Sequence, residues 1–367
     1  MKRLVLSGYF GFDNSGDDAI LKSICEDLKK LNKDLELTVL SKSPEKTARF
    51  YGVNSVDRFS PIEVFKALKR ADLFIFGGGS LLQDITSTRS LIYYLGTLKM
   101  AQIAKTPTYV FANGVGPISG KLNRELTKKI LNKTRLITLR DKNSYEFLKN
   151  IGVDMPNMEI TADPVMRLEP YTKDIAKTIL ENENIDSNKK FIALCLRNWK
   201  EDKLIDKFAK LANILIEKTD YNLLFVPLHY PSDLEFSKSV IENIQDKDRA
   251  FLLKAKYEAE EIMAILSLCD LTLAMRLHSL VYSINAETPY IGIIYDPKVK
   301  ALMEEMNIDL GADVSNFDAD NFSKIVLESL ENLEELKTKT IMGGEALREK
   351  AWKNIDNVLK LLGEKHG

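Results

Sequence analysis

Three arginines and two of the three histidines of this 367-residue chain stand just after short apolar runs that read as β-strands. Arg140 follows residues 136–139, Arg197 follows 191–196 and His229 follows 223–226. Arg276 and His278 follow 271–274 in the run Met275-Arg276-Leu277-His278-Ser279. In open α/β sheets ligands bind beyond the carboxyl ends of the strands. One arginine at such a place is ordinarily a salt-bridge partner, and one histidine a satisfied polar residue. Several cations gathered together repel one another and need an anion to hold them. The partner this implies is small and carries carboxylate and phosphate groups. The third histidine, His366, is one residue from the end and reads as frayed.

Small and acidic residues follow the other strand-like runs. After the first comes Gly8-Tyr9-Phe10-Gly11-Phe12-Asp13-Asn14-Ser15-Gly16-Asp17-Asp18. Its glycines permit a tight loop, and the next helix offers free N–H groups to an anion. The spacing is not that of a dinucleotide fingerprint, and Asp17 and Asp18 also suit an ordinary helix start. After residues 73–76 comes Gly77-Gly78-Gly79-Ser80-Leu81-Leu82-Gln83-Asp84, then Thr86-Ser87-Thr88-Arg89-Ser90. Three consecutive glycines exceed what a simple turn needs, which favours close approach of a ligand or a backbone there.

Elements must carry these residues to one place. Strand-like runs at 3–7, 35–40, 73–76, 108–112 and 136–139 alternate with helical patterns at 19–31, 90–104 and 121–133. The series restarts with strands at 191–196, 223–226, 251–253, 271–274 and 290–294, separated by helices at 204–218, 259–268 and 280–287. Nearly all the strands are continuous apolar runs, as expected where both faces of a parallel sheet are covered. The fold class expected is α/β: two doubly wound, Rossmann-like domains facing a cleft. The expected domains are 1–172 and 173–335. Residues 336–367 are expected to form a C-terminal helix that packs back across the domains, its apolar stripe carried by Ala351, Ile355, Val358, Leu359 and Leu362.

Composition narrows the function classes. A net charge of −1 excludes nucleic-acid binding through bulk charge. Cys25, Cys195 and Cys269 are far apart inside apolar runs, without metal-ligand spacing, and read as reduced core thiols of a cytoplasmic protein. The opening residues, 1–8, are too soon interrupted for a signal peptide, and no apolar run approaches the roughly 20 residues of a membrane span. Lys121, Arg124, Lys128, Lys129 and Lys133 line one helix face, expected to be solvated, with contact to anionic lipid the alternative. The motifs of zincins, zinc ribbons, P-loops and serine hydrolases are missing, and no metal or organic cofactor is expected.

Taken together, these motifs resemble the polysaccharide pyruvyl transferase family, in particular its cell-wall ketal pyruvyl transferases of the CsaB type. The resemblance runs from about Leu4 to about Asp296. It is carried by residues 14–21, 77–84 with 90–94, Gly114-Val115-Gly116-Pro117, Arg140-Asp141-Lys142-Asn143-Ser144, Ala162-Asp163-Pro164 and Met275-Arg276-Leu277-His278-Ser279. One departure is Asp18, where the family pattern has glutamate; Gly16 and Asp17 are retained. The resemblance implies a fold like that of the two-domain GT-B glycosyltransferases. It implies phosphoenolpyruvate as donor and, as acceptor, a lipid-linked disaccharide containing N-acetylmannosamine, with contact at the inner membrane surface compatible. The product would be a cyclic pyruvate ketal whose carboxylate surface-layer proteins can recognise.

Forming a ketal from an enol phosphate needs an acid for the methylene carbon, cations for a polyanion and a base for the attacking hydroxyl. His278 is the expected acid, as the family pattern also suggests. Arg140 and Arg276 are expected on the donor anions, with Arg197 ranked below them. His229 and Ser279 are expected beside them. Asp84 or Asp17 would serve the acceptor hydroxyl. Gly77, Gly78, Gly79, Ser80, Asn14 and Gly16 would face the acceptor. A nucleotide-sugar glycosyltransferase of the same fold and a non-catalytic anion-binding module are the two rivals.

Overall fold

The computed structural model describes residues 2–85, 87–154, 157–200 and 203–363. Thr86 and His366 lie outside the described residues. The chain divides into two compact units, residues 1–167 with 347–367, and residues 168–346.

The first unit is built on seven strands: β1 (Lys2–Ser7), β2 (Leu35–Ser41), β3 (Asn54–Asp57), β4 (Leu73–Gly77), β5 (Thr108–Asn113), β6 (Leu136–Leu139) and β7 (Met158–Ile160). Their order in the sheet is β3-β2-β1-β4-β5-β6-β7, and every neighbouring pair is parallel. The second unit repeats the scheme with β8 (Phe191–Cys195), β9 (Asn222–Phe225), β10 (Ala250–Leu252), β11 (Leu271–Ala274), β12 (Tyr290–Ile294) and β13 (Gly311–Asp313). Its order is β10-β9-β8-β11-β12-β13, again all parallel. In both sheets the order of the strands reverses beside the first strand, so each has its topological switch point there, between β1 and β4 and between β8 and β11.

The central strands β4, β5, β6, β8, β9 and β11 are buried at every residue, because helices cover both faces of the sheets. Three strands escape a reading by apolar runs: β3, β7 and β13. Each ends or edges a sheet, is three or four residues long and has no buried residue. An edge strand covered on one side only has little apolar area to contribute, so its sequence carries no run.

The final helix, Leu333–Leu361, begins earlier than its apolar stripe suggests. Its last part belongs to the first unit and is anchored there by the buried Asn354. The Asn354 Oδ1 accepts from the hydroxyls of Thr138 (2.7 Å) and Thr161 (2.8 Å), and its Nδ2 donates to the Ala162 carbonyl (3.1 Å). Ala351, Ile355, Val358, Leu359 and Leu362 are all buried. All three cysteines are buried free thiols, and burial pushes Cys25 up to about 12 and the other two upward as well. Such thiols are poor nucleophiles. Among the described residues no helix is long and apolar enough to cross a membrane, and no group of His, Cys, Asp and Glu is placed to hold a metal ion.

Candidate active-site residues

In the first unit the glycine-rich segments lie at the carboxyl ends of β1, β4 and β5. Asn14 caps the helix Ser15–Leu31, its Oδ1 accepting from the Gly16 amide at 3.1 Å. Gly78 and Gly79 have φ of 74° and 73°, the left-handed region that disfavours side chains. A Cβ on Gly78 would lie 2.1 Å from Ile20 Cγ2, and one on Gly79 would lie 2.9 Å from Asp17 Oδ1. Gly78 and Gly79 are therefore needed where β4 turns against the first helix, and Gly77 where β4 meets Phe111 of β5. That same packing brings the Asp17 carboxylate to the Gly79 backbone. A valine at Gly78 would test folding rather than ligand recognition.

The 77–84 segment is tied to the loop after β5. The Gly114 amide donates to the Gly79 carbonyl (2.9 Å) and the Gly116 amide to the Leu82 carbonyl (2.8 Å). Asp84 holds the far end. Its carboxylate accepts from the Ser119 amide (2.8 Å) and hydroxyl (3.1 Å), the Gly120 amide (3.2 Å) and Asn123 Nδ2 (2.8 Å). Burial pushes Asp84 upward, but these donors together outweigh it and bring it down to about 2. A carboxylate so engaged is a weak base, and its evident work is to start the helix Lys121–Leu131.

Arg140 is buried at the end of β6. Its Nη1 donates to Asp163 Oδ2 at 2.9 Å and its Nη2 to Ser80 Oγ at 2.8 Å. Gly114 lies beneath it, a Cβ there falling 3.0 Å from Arg140 Nε and 2.8 Å from Ser80 Oγ. Arg140 is thus a strut that fixes Ser80 and pairs with a buried carboxylate.

In the second unit the candidate residues gather at the ends of β8, β9 and β11. Arg276 caps the helix Leu277–Asn285 and forks onto Asp233, Nε to Oδ2 at 2.6 Å and Nη2 to Oδ1 at 2.7 Å. Asp233 is almost wholly buried and also accepts from the His229 amide at 3.0 Å. The His229 Nδ1 lies 3.0 Å from the Ser232 hydroxyl. Burial depresses the His229 pKa below the usual histidine value, and Arg276, Arg197 and Lys256 depress it further, against an upward pull from Asp233. Three cations therefore act on one imidazole. The segment that carries Lys256 is fixed by Glu183, which accepts from the Lys254 amide (3.0 Å), the Ala255 amide (2.9 Å) and the Tyr257 hydroxyl (2.8 Å).

Arg197 differs from the other two arginines. Among the described residues it has no carboxylate partner. Its guanidinium carbon lies 4.9 Å from the Trp199 ring and 4.6 Å from the Tyr295 ring, and those rings meet edge to face at 4.7 Å. Aromatic faces hold the cation without neutralising it. On sequence grounds Arg197 ranks below Arg140 and Arg276; in the structure those two pair with carboxylates and Arg197, among the described residues, does not. His278 is the second residue of the helix Leu277–Asn285, its ring 6.1 Å from that of Tyr282. Ser279 spends its hydroxyl on the Arg276 carbonyl at 2.6 Å.

Each unit thus assembles its own set. The first unites Asn14, Gly16, Asp17, the Gly77–Ser80 turn and Arg140; Asp84 caps a neighbouring helix. The second unites Arg197, His229, Arg276, His278 and Ser279. Asp233, Trp199, Tyr295 and Lys256 join the second set without having been singled out in the sequence. Asp233 reads as an ordinary residue in the first turn of a helix, and only its burial beside Arg276 reveals it.

Two kinds of comparison bear on this geometry. The chain is similar in fold to S. aureus MnaA solved with UDP (TM-score 0.69, 13% identity, 100% of both chains). It is likewise similar to a putative UDP-N-acetylglucosamine 2-epimerase of Listeria monocytogenes (0.69, 14%, 100% of this chain and 98% of that one). Anabaena HepE solved with UDP-glucose has the same fold (0.64, 11%, 99% and 100%). In sequence, it is 22% identical to the amylovoran biosynthesis protein AmsJ of Erwinia amylovora over 98% of this chain and 100% of that protein. The polysaccharide pyruvyl transferase family profile matches residues 14–297, which takes in both sets of residues just described. The chain belongs to the polysaccharide pyruvyl transferase family and is a transferase.

Proposed function

We propose that this enzyme transfers the pyruvyl group of phosphoenolpyruvate to two hydroxyls of one sugar and releases phosphate. The acceptor is the N-acetylmannosamine unit of a lipid-linked disaccharide used in building a cell-wall polysaccharide. The observation that carries this reading is the convergence of Arg197, His229 and Arg276 at the carboxyl ends of β8, β9 and β11, where Asp233 joins the His229 amide to the Arg276 guanidinium and His278 follows Arg276. That cluster suits a small ligand with both phosphate and carboxylate charge.

In the proposed reaction His278 gives a proton to the methylene carbon, and the enol carbon becomes an oxocarbenium centre. One acceptor hydroxyl adds to that centre and yields its proton. The C–O bond to phosphate then breaks, and the second hydroxyl closes the ketal and yields the other proton. One of the two protons restores His278 and the other leaves on phosphate, so the balance closes. Arg197 and the Nη1 side of the Arg276 guanidinium, away from its Asp233 fork, hold the donor anions. Asp17, set against Gly79, takes one hydroxyl proton and passes it on to the departing phosphate, and Arg140 positions Ser80. Work at the inner face of the membrane fits the basic face of the helix Lys121–Leu131 beside the exposed Leu122 and Ile85.

The test is phosphate release from phosphoenolpyruvate with a synthetic lipid-linked disaccharide, and NMR identification of the ketal carbon. Release that depends on the disaccharide is expected; release without it, or none, overturns the proposal. The fold relatives solved with UDP and UDP-glucose favour one second reading, a nucleotide-sugar transferase. Thermal stabilisation by UDP-sugars rather than by phosphoenolpyruvate would select it.

A further inference from the structure

Arg58 is the least explained charge in the first unit. It is only 5% exposed, yet among the described residues no carboxylate pairs with it. Burying an unpaired cation is costly, and what surrounds this one is aromatic. The guanidinium carbon lies 5.0 Å from the Phe12 ring, 4.6 Å from Tyr93, 5.5 Å from Tyr94 and 5.7 Å from Phe59. Its Nη1 donates to the Gly8 carbonyl at 2.8 Å, while its Nε has no partner. The Tyr93 hydroxyl donates to the Arg58 carbonyl at 3.0 Å. Arg58 therefore fixes four rings and the glycine-rich loop after β1 at once.

Part of this aromatic cluster faces water. Phe59 is 59% exposed and Tyr9 38%, and Tyr9 stacks flat on Phe12 at 4.1 Å with 6° between the planes. Lys42 stands at the rim, 5.0 Å from the Phe12 ring, and Lys46, in the helix Pro44–Tyr51, forms an ion pair with Asp13 of the loop after β1. Tyr9 and Phe12 follow β1, Lys42 follows β2, and Arg58 and Phe59 follow β3. These three strands are neighbours in the sheet, so the cluster lies at the carboxyl ends, where ligands of doubly wound sheets bind.

We propose that Tyr9, Phe12 and Phe59, set in place by Arg58, form a saccharide-binding platform for the sugar unit next to the one that receives pyruvate. A pyranose has an apolar C–H face that stacks on an aromatic ring, and a rim of hydroxyls that bonds to charged groups. The exposed rings of Tyr9 and Phe59, bordered by Lys42 and by the Lys46–Asp13 pair, match both features, and Phe12 backs Tyr9 by stacking on it. The family handles polysaccharides, which gives such a surface its occupant. The assignment rests on the reading that the first unit takes the acceptor. Arg58 is a positioning residue here: it is buried behind the rings and acts through them.

The test compares the double variant Tyr9→Ala/Phe59→Ala with wild type by calorimetric titration. The probes are an alkyl glycoside of the N-acetylmannosamine-containing disaccharide and the alkyl glycoside of N-acetylmannosamine alone. Both substituted residues are exposed, so the fold is retained and circular dichroism verifies it. Disaccharide affinity should fall about tenfold, with monosaccharide and phosphoenolpyruvate affinities unchanged. Arg58→Lys should raise the KM for the disaccharide while leaving kcat unchanged. Wild-type disaccharide affinity in the double variant, equal loss of both sugars, or no disaccharide binding by wild type would each overturn the platform. Disaccharide binding by wild type without phosphate release from phosphoenolpyruvate would instead remove the proposed reaction and leave the platform standing.

Discussion

Replacing Arg197 and Arg140 by methionine should separate two uses of arginine that look alike in sequence. Arg140 and Asp163 have side chains 6% and 8% exposed and lie 2.9 Å apart, so Arg140→Met takes the cation away from a buried carboxylate. Losing one partner of such a pair costs about 3–5 kcal/mol, and Ser80 also loses its donor. Arg197 is half-buried, has no carboxylate among the described residues and leans on two rings. A methionine keeps much of that ring contact, so Arg197→Met should cost no more than about 1–2 kcal/mol. Its loss should appear in donor binding. A charge-assisted hydrogen bond is worth about 1.5–3 kcal/mol, which is about 10- to 100-fold in the dissociation constant. Urea denaturation followed by circular dichroism reads the first quantity, and calorimetric titration with phosphoenolpyruvate reads the second. An Arg140→Met protein as stable as wild type would refute the buried-strut assignment. An Arg197→Met protein with wild-type donor affinity would refute the anion assignment.

Three further outcomes are expected. His278→Gln should fold normally and lose turnover by about 10²-fold or more, measured as acceptor-dependent phosphate release, because it removes the proposed acid. Phosphoenolpyruvate binding should take up protons and tighten as pH falls below neutrality. Burial and the nearby cations hold the His229 pKa down; the donor's anions oppose the cations, and titration in buffers of different ionisation enthalpy, with His229→Asn as control, reads the uptake. Asp84→Asn should keep turnover within a few-fold while Asp17→Asn loses it. Because Asp84 is depressed to about 2, its stabilising contribution is complete above the unfolded carboxylate value near 4 and is lost as pH falls toward 2. Asp84→Asn should therefore flatten that acid limb in a denaturation series.

Much of the architecture was legible because of burial. Central strands such as β4, β5 and β8 are covered on both faces, so their residues are uniformly apolar and stand out as runs. The alternation of such runs with helical patterns was enough to expect two doubly wound sheets. Arg197, His229, Arg276 and His278 could be picked out because they follow these runs directly. The edge strands β3, β7 and β13 could not: Asn-Ser-Val-Asp, Met-Glu-Ile and Gly-Ala-Asp form no apolar run, unlike the Ala-Phe-Leu of the equally unburied edge strand β10.

Which charges remain available to a ligand was decided only by the tertiary structure. Arg276 and Asp233 are 43 residues apart, and Arg140 and Asp163 are 23 apart. Each pairing arises because parallel crossovers return successive loops to the same edge of a sheet, a convergence that no local pattern encodes. The same return sets Ile20 and Asp17 against Gly78 and Gly79, and Arg58 beneath the rings that follow β1 and β3. Residue types and strand ends follow from local hydrophobicity, which the sequence carries by itself. Pairing, depth and the number of neighbours follow from how distant segments pack, and these settle whether an arginine is a strut, a clamp or a waiting cation.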